Sequence, residues 1–213
     1  MHEAILAMIE RRRPRDQPDW HRALREVLQE TALAGLWRTG FFDQAAFYGG
    51  TALHLFHGLD RFSEDLDFSL LTPNPTWKLA ERLKGLRAEI EAFGFAVDIE
   101  PKHEGKIDSA FIKANTKIHL VRIEAPEAVA GAAASNRLVK VKLEIDTDPP
   151  AGIRTETKTL LDERIGAIDW KQAVEDVLPF VRDPRAVEMW EAALFREAAG
   201  RIDYGGTLYS PPP

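Results

Sequence analysis

Residues 47–71 read FYGGTALHLFHGLDRFSEDLDFSLL, and this stretch decides the fold. It places two glycines before a short apolar helix, and then Asp65 and Asp67 two positions apart in an apolar strand. Successive side chains of a strand point to opposite faces, so the two aspartates share one face. Two carboxylates on one face repel unless a cation lies between them, and oxygen-only ligands suit Mg²⁺ or Mn²⁺. A glycine turn leading into a helix offers free N–H groups to a phosphate. The stretch therefore predicts phosphoryl or nucleotidyl transfer.

A third carboxylate is expected from a later strand, 137–146, in which apolar and charged residues alternate strictly. The apolar side carries Val139, Val141, Leu143 and Ile145, and the polar side carries Lys140, Lys142, Glu144 and Asp146. We expect Glu144 to complete a metal site with Asp65 and Asp67, with Asp146 as the next candidate. The alternative is a half-exposed strand whose charges pair with one another.

The turn and the loop after it supply the candidate nucleotide ligands. Gly49, Gly50 and Thr51 form the expected phosphate turn, although any tight strand-to-helix turn uses glycine and Thr51 could simply cap the helix. Arg61 and Ser63 either touch phosphate oxygens or only order the loop.

A zinc site is not expected at His54 and His57, which lie three positions apart on the helix, because no third ligand is evident.

Composition excludes several classes of protein. The chain has 213 residues, enough for one large domain or two small ones, and 45% of them are hydrophobic. It has no cysteine, which excludes disulfides, thiolate metal sites and cysteine nucleophiles and fits a cytoplasmic protein. No apolar run is long enough to span a membrane. The formal charge of −6 argues against a generic nucleic-acid binder.

Periodicity predicts the order of the elements: helices, a mixed α/β core, and a helical end. Asp19 is the expected N-cap of a helix that runs to about Arg38. The remaining expected helices are 3–13, 51–57, 77–93, 169–181 and 184–202. The expected strands are 45–48, 66–71, 95–100, 110–115, 117–123, 137–146 and 155–160.

Three segments resemble the AbiEii/AbiGii toxin nucleotidyltransferases of the DNA polymerase β-like superfamily: GGTALHLFHGLDRFSEDLDF, RLVKVKLEIDTDPP and IDWKQAVEDVLPFVRDP. The resemblance implies an α+β fold, with a polymerase β-like core of mixed β-sheet flanked by helices and a helical C-terminal part. The core with its N-terminal helices is expected over 1–150, the helical region over 151–204, and a disordered tail over 205–213.

The resemblance also implies a function. Members of the family are toxins of type IV toxin–antitoxin systems, used in abortive infection and phage defence, and some relatives add nucleotides to the 3′ end of tRNA. It implies a Mg²⁺ (or Mn²⁺) cofactor, a nucleoside triphosphate substrate, an RNA acceptor and a cognate antitoxin. By position, the phosphate turn is Gly49, Gly50 and Thr51, the metal pair is Asp65 and Asp67, the third acid is Glu144, and the basic residue beside it is Lys142.

One departure from the family pattern keeps other functions open. Family members carry a helical segment with a lysine motif after the last core strand, whereas here Glu156-Thr157-Lys158-Thr159-Leu160 runs almost directly into Leu161. Lys158 is only a weak substitute for that lysine. The alternatives are a degenerate member that binds nucleotide or a partner protein without catalysis, and another Asp-x-Asp enzyme such as a metal-dependent glycosyltransferase.

Overall fold

The α+β class expected from the sequence is confirmed: a mixed β-sheet is flanked by helices. The computed structural model describes residues 2–104, 107–122, 125, 130, 137–150, 152, 154–161, 163–168, 202–203 and 207–208. The helices are α1 (His2–Arg11), α2 (Gln17–Arg38), α3 (Gly49–His57), α4 (Ala80–Ala92) and α5 (Thr116–Arg122). The strands are β1 (Ala45–Tyr48), β2 (Asp65–Leu70), β3 (Val97–Glu104), β4 (Ile107–Asn115), β5 (Leu138–Asp146), β6 (Thr155–Leu160), β7 (Glu163–Ile168), β8 (Ile202–Asp203) and β9 (Thr207–Leu208).

Seven strands form the main sheet, in the order β3-β4-β5-β2-β1-β7-β6. The pairs β2–β5 and β1–β7 are parallel, and the other neighbours are antiparallel. The strands with the sharpest alternation in the sequence, β2 and β5, therefore lie side by side at the centre of the sheet.

The apolar face of the central strands packs against helices α2 and α3, and α4 packs against α2 and the edge strand β3. Phe47 and Phe68 are fully buried there, and their rings lie 5.2 Å apart. Phe41, from the short 3₁₀ turn before β1, packs edge-on against Phe68 at 4.9 Å. Because alternate residues of a strand point to opposite faces, this packing directs the charged residues of β2 and β5 to the other face of the sheet.

Helix α2 begins earlier than the sequence analysis expected. Its N-cap is Asp16, whose side chain accepts a hydrogen bond from the N–H of Asp19 at 2.9 Å, so the prediction of Asp19 as the cap is wrong. Pro18 lies in the first turn, where its missing N–H has no cost.

Segment 117–123 was expected to be a strand, and that prediction is wrong over the described residues, because Thr116–Arg122 is helix α5. The side chain of Asn115 accepts a hydrogen bond from the N–H of Ile118 at 3.0 Å, which is the geometry of a helix cap. The branched residues of this segment favour a strand by propensity, and the local cap outweighs that preference.

The segment after residue 150 continues the core sheet before any helical part. Strand 155–160 is confirmed, and β7 pairs with it and with β1, so neither belongs to the helical region expected over 151–204. The expected helices 169–181 and 184–202 lie outside the described residues, except that Ile202 is in β8. Thr207–Leu208, in the tail expected to be disordered, pairs with β8. The division of the chain at residue 150 stays a prediction.

A two-residue turn joins β6 and β7, since Leu160 lies opposite Glu163 in the antiparallel ladder. Leu161, in the turn, has a positive φ of 49°. The lysine-bearing segment of the family pattern therefore has no counterpart between these two strands.

Candidate active site

The acidic residues of β2 and β5 lie on one face of the sheet because the two strands are parallel and in register. Asp67 is directly opposite Glu144, Asp65 is opposite Lys142, and Asp146 is opposite Ser69. Aligned residues of neighbouring strands point to the same face. The sheet therefore brings together the carboxylates that the sequence analysis assigned to a metal, and we call Asp65, Asp67, Glu144 and Asp146 the acidic row.

The acidic row carries more negative charge than its surroundings balance. Burial raises the pKa of Asp67 to about 6, and the negative charges of Asp65 and Glu144 add to the rise. The pKa of Asp65 is also raised, chiefly by burial. Lys142 opposes both shifts. A divalent cation at this place would relieve the same repulsion.

Lys142 is already engaged with one member of the acidic row. Its Nζ lies 2.7 Å from Oε1 of Glu144, and both side chains are about one-third exposed. This hydrogen bond is the main reason why the pKa of Lys142 is raised.

The glycine turn touches the acidic row directly. Gly49 has a φ of 81°, and a β-carbon placed on it would lie 2.3 Å from Oδ2 of Asp67. A β-carbon on Gly50 would lie 3.1 Å from Oγ of Ser63. The two glycines therefore let the first turn of α3 approach both β2 and the loop before it.

Thr51 has a structural partner. Its side chain is buried, and its hydroxyl donates a hydrogen bond to the carbonyl oxygen of Asp65 at 2.5 Å. Thr51 thus ties α3 to the start of β2, and what it can offer to a phosphate is its backbone N–H.

The loop between α3 and β2 holds the other two candidate nucleotide ligands. The carbonyl oxygen of Ser63 accepts a hydrogen bond from Nε2 of Gln29 at 3.1 Å, which fixes the loop on α2. Arg61 is exposed.

The histidines of α3 have partners within the fold. Nδ1 of His54 lies 2.7 Å from the carbonyl oxygen of Leu59, and Nε2 of His57 lies 3.2 Å from Oε1 of Glu156.

Tyr48 belongs to this face, and the sequence analysis missed it. It lies opposite Asp67 in the β1–β2 ladder and is 38% exposed. Burial raises its pKa, and the charges of Asp67, Asp146 and Glu144 raise it further. The alternation of β1 could have placed it, since Tyr48 is two positions from Ala46 and immediately precedes the glycine turn.

The donor set of the acidic row fits a hard divalent cation, since every donor is a carboxylate oxygen. Among the residues that the structure describes, no three side chains are already arranged as a metal site. Glu144 bonds to Lys142 instead, so it would have to exchange that partner for the cation.

Comparison with known protein families identifies the family of this chain. The family model described as "Nucleotidyl transferase AbiEii toxin, Type IV TA system" matches residues 31–169, well over half of the chain. The matched range includes the glycine turn and the whole acidic row. This protein therefore belongs to the AbiEii nucleotidyltransferase toxin family.

Two solved structures from Helicobacter pylori are similar to this chain. One, assigned as a nucleotidyltransferase, has 23% identity and a TM-score of 0.46, and the match covers 72% of this chain and 56% of that one. The other, JHP933, has 22% identity and a TM-score of 0.45, and the match covers 75% of this chain and 56% of that one. The chain thus spans little more than half the length of either.

A search of curated proteins gives no match. In the described part of the chain, no helix is long and apolar enough to cross a bilayer.

Proposed function

We propose that this protein is a Mg²⁺-dependent nucleotidyltransferase toxin that transfers a nucleotide from a nucleoside triphosphate to the 3′ end of an RNA, with tRNA as the expected acceptor. Membership of the AbiEii family supports the class of reaction and implies a cognate antitoxin. The observation that carries the proposal is the register of the central strands, which sets Glu144 opposite Asp67, beside the turn at Gly49.

Each residue then has a definite task. Asp65 and Asp67 would hold the cation, and Glu144 would join them in exchange for its bond to Lys142. A divalent cation supplies Lewis-acid polarisation of the phosphates and lowers the pKa of an attacking hydroxyl. Lys142, released from Glu144, is then available to a phosphate oxygen. The N–H groups of the first turn of α3, at Gly50 and Thr51, have no partner within the helix and donate hydrogen bonds to oxygens of the β- and γ-phosphates.

The reaction is a displacement at the α-phosphorus. The 3′-hydroxyl oxygen of the RNA forms the new P–O bond and loses its proton to water. The bond between the α-phosphorus and the β-phosphate oxygen breaks, and pyrophosphate leaves with the electron pair. Catalysis of this type depends mostly on positioning and on charge neutralisation, which a row of carboxylates on rigid neighbouring strands is suited to provide.

The test is label transfer. The protein is incubated with Mg²⁺, RNA and each of the four α-labelled nucleoside triphosphates, next to Asp67→Asn and the control Asp98→Asn. Asp98 is a surface residue of β3 that pairs with Arg87. We expect transfer by the wild type and by Asp98→Asn, and none by Asp67→Asn. Absence of transfer with every triphosphate, or full activity of Asp67→Asn, would reject the proposal.

A second candidate is a degenerate member that binds a nucleotide without turning it over. The two-residue turn between Leu160 and Glu163 favours it, because the expected lysine-bearing segment has no room there. Tight triphosphate binding without transfer would establish this candidate. Growth arrest on expression that Asp65→Asn abolishes would exclude it.

The glycosyltransferase alternative has no support from the family match, and a preference for sugar nucleotides over triphosphates would be needed to revive it.

A further inference from the structure

A group of basic side chains lies beside the acidic row, and nothing in the proposed mechanism uses it. It consists of His21, Arg22 and Arg25 on α2 and Arg137 just before β5, and we call it the basic cluster. His21 and Arg25 are one helical turn apart, so they lie on the same side of α2. The basic cluster is a local exception on a chain whose formal charge is −6.

The basic cluster adjoins the loop that leads into β2. Arg25 forms an ion pair with Glu64, the residue immediately before Asp65, and its charge partly opposes the rise in the pKa of Asp65. The guanidinium groups of Arg22 and Arg25 lie 5.8 and 5.6 Å from the ring centre of Phe62. The aromatic ring thus holds two arginines close together against the loop that leads into β2.

The contacts within the basic cluster leave hydrogen-bonding capacity unused. Among the described residues, Nε2 of His21 and Nε of Arg25 are shielded from solvent and have no hydrogen-bond partner. Arg22 and Arg137 are exposed. An acceptor with several oxygen atoms could bond to these groups, and Arg25 can turn towards it when it releases Glu64, which is itself exposed.

The titration of His21 reflects the same excess of positive charge. Burial lowers its pKa to about 4, and the charges of Arg137 and Arg25 lower it further, while Glu64 and a hydrogen bond to the backbone of Leu138 act in the opposite direction. An anion bound here would offset both arginines and would allow the imidazole to take up a proton.

We propose that the basic cluster is a phosphate-binding site next to the acidic row, and that Arg22, Arg25 and Arg137 bind either the triphosphate tail of the nucleotide or a backbone phosphate of the acceptor RNA. Arginine is suited to this task because its planar fork matches the oxygens of a phosphate. The inference that this phosphate belongs to a nucleotide or RNA substrate rests on the proposed function. The basic cluster would supply the cations that the missing lysine-bearing segment provides in the family pattern.

The first test follows His21 by NMR and needs no catalysis. The imidazole signal is assigned with His21→Gln, and its pH titration is recorded with and without inorganic phosphate and pyrophosphate. We expect either anion to raise the pKa of His21 from about 4 towards its ordinary value. An unchanged titration at saturating pyrophosphate, nucleoside triphosphate and RNA would overturn the proposal.

The second test measures affinity by calorimetry for Arg137→Gln, Arg22→Gln and a control, Arg87→Gln, which removes a surface arginine that pairs with Asp98. One arm uses a nucleoside triphosphate without RNA, and the other a short single-stranded RNA without triphosphate. Loss of one charged contact should weaken binding about 10-fold to 100-fold. A loss in the first arm assigns the triphosphate tail, and a loss in the second assigns the RNA backbone. Equal affinity of both variants and the control in both arms would refute the proposal.

These tests separate the basic cluster from the reaction. If phosphate shifts the His21 titration but no label is ever transferred, the phosphate site stands and the proposed nucleotidyl transfer fails. If label is transferred and the variants bind both substrates like the control, the reaction stands and the basic cluster has no part in it.

Discussion

The carboxylate of Asp67 lies where a β-carbon on residue 49 would have to be. A β-carbon placed on residue 49 would lie 2.3 Å from Oδ2 of Asp67, well below any real contact of that type, and Gly49 also has a positive φ of 81°. Glycine is therefore required at this position for two separate reasons: the conformation of the turn and the close approach of Asp67 on β2.

Gly49→Ala should destabilise the fold and displace Asp67. The positive φ alone costs about 1–2 kcal/mol for an L-residue, and the collision adds about 1–3 kcal/mol to the loss. The free energy of unfolding in urea measures the sum.

Gly58→Ala is the matched control for this prediction, because Gly58 ends α3 with a φ of 67° and a β-carbon there would meet nothing within 4 Å. Gly58→Ala should lose only the part of the free energy of unfolding that the positive φ costs. Equal losses in the two variants would show that Asp67 does not press on the turn. The double variant Gly49→Ala/Asp67→Ala should recover part of the loss, since it removes the colliding carboxylate.

Asp67→Asn should stabilise the metal-free protein at neutral pH. The pKa of Asp67 is raised from 3.8 to about 6 in the folded state. Between these pH values the folded chain keeps a proton that the unfolded chain has lost, so stability falls as the pH rises through this window. The amide avoids this loss, and after allowance for solvent screening we expect a gain of about 1 kcal/mol, or roughly 2–4 °C in Tm.

The measurement is thermal unfolding of the wild type and Asp67→Asn in EDTA, at pH values from 4 to 8. The difference in Tm between the two proteins should reach its maximum above pH 6 and should decrease towards zero at pH 4. Addition of Mg²⁺ should then raise the Tm of the wild type more than that of the variant. A variant that is less stable than the wild type throughout would contradict the electrostatic account of the acidic row.

Thr51→Val should lower stability while it leaves nucleotide affinity nearly unchanged. The substitution removes the hydrogen bond to the carbonyl oxygen of Asp65 at a cost of about 1 kcal/mol, and keeps the backbone N–H. Urea unfolding and triphosphate titration measure the two effects, with Thr51→Ser as the control that retains the hydroxyl. A large loss of affinity without a loss of stability would make the hydroxyl a phosphate ligand after all.

Lys142→Gln should raise the pKa values of Asp65 and Asp67 still further, because Lys142 is the cation that opposes both shifts. Carboxyl NMR should show the midpoint of Asp67 moving above 6. Lys142→Arg keeps the charge and should leave the midpoint almost where it is. An unchanged midpoint in Lys142→Gln would mean that Lys142 does not balance the acidic row.

Local patterns in the sequence predicted which faces of β2 and β5 carry the carboxylates. The alternation of β2 and β5 placed Asp65, Asp67 and Glu144 on the polar side of their strands, because a strand that buries one face leaves a period of two in the sequence. The direct alignment of Asp67 with Glu144 required knowledge of which strands pair and in which register. That information lies in long-range contacts and in no local motif.

The predictions that were wrong or missing also have physical causes. Thr116–Arg122 contains branched residues that favour a strand, yet the side chain of Asn115 caps a helix there. The alternation of β1 assigns Tyr48 to one face of its strand, but its position beside Asp67 depends on the pairing of β1 with β2. The function of the Thr51 hydroxyl could not be predicted either, since its acceptor, Asp65, lies on another element.

The register between β2 and β5 sets a rule for how this protein can change during evolution. A single-residue insertion within β5, ahead of Glu144, would move every later side chain of the strand to the opposite face of the sheet. The carboxylates of β5 would then point into the hydrophobic core. Length variation among relatives should therefore be confined to the connecting loops. A relative that gained or lost one residue inside either strand would keep the acidic residues in its sequence, but they would no longer share one face of the sheet.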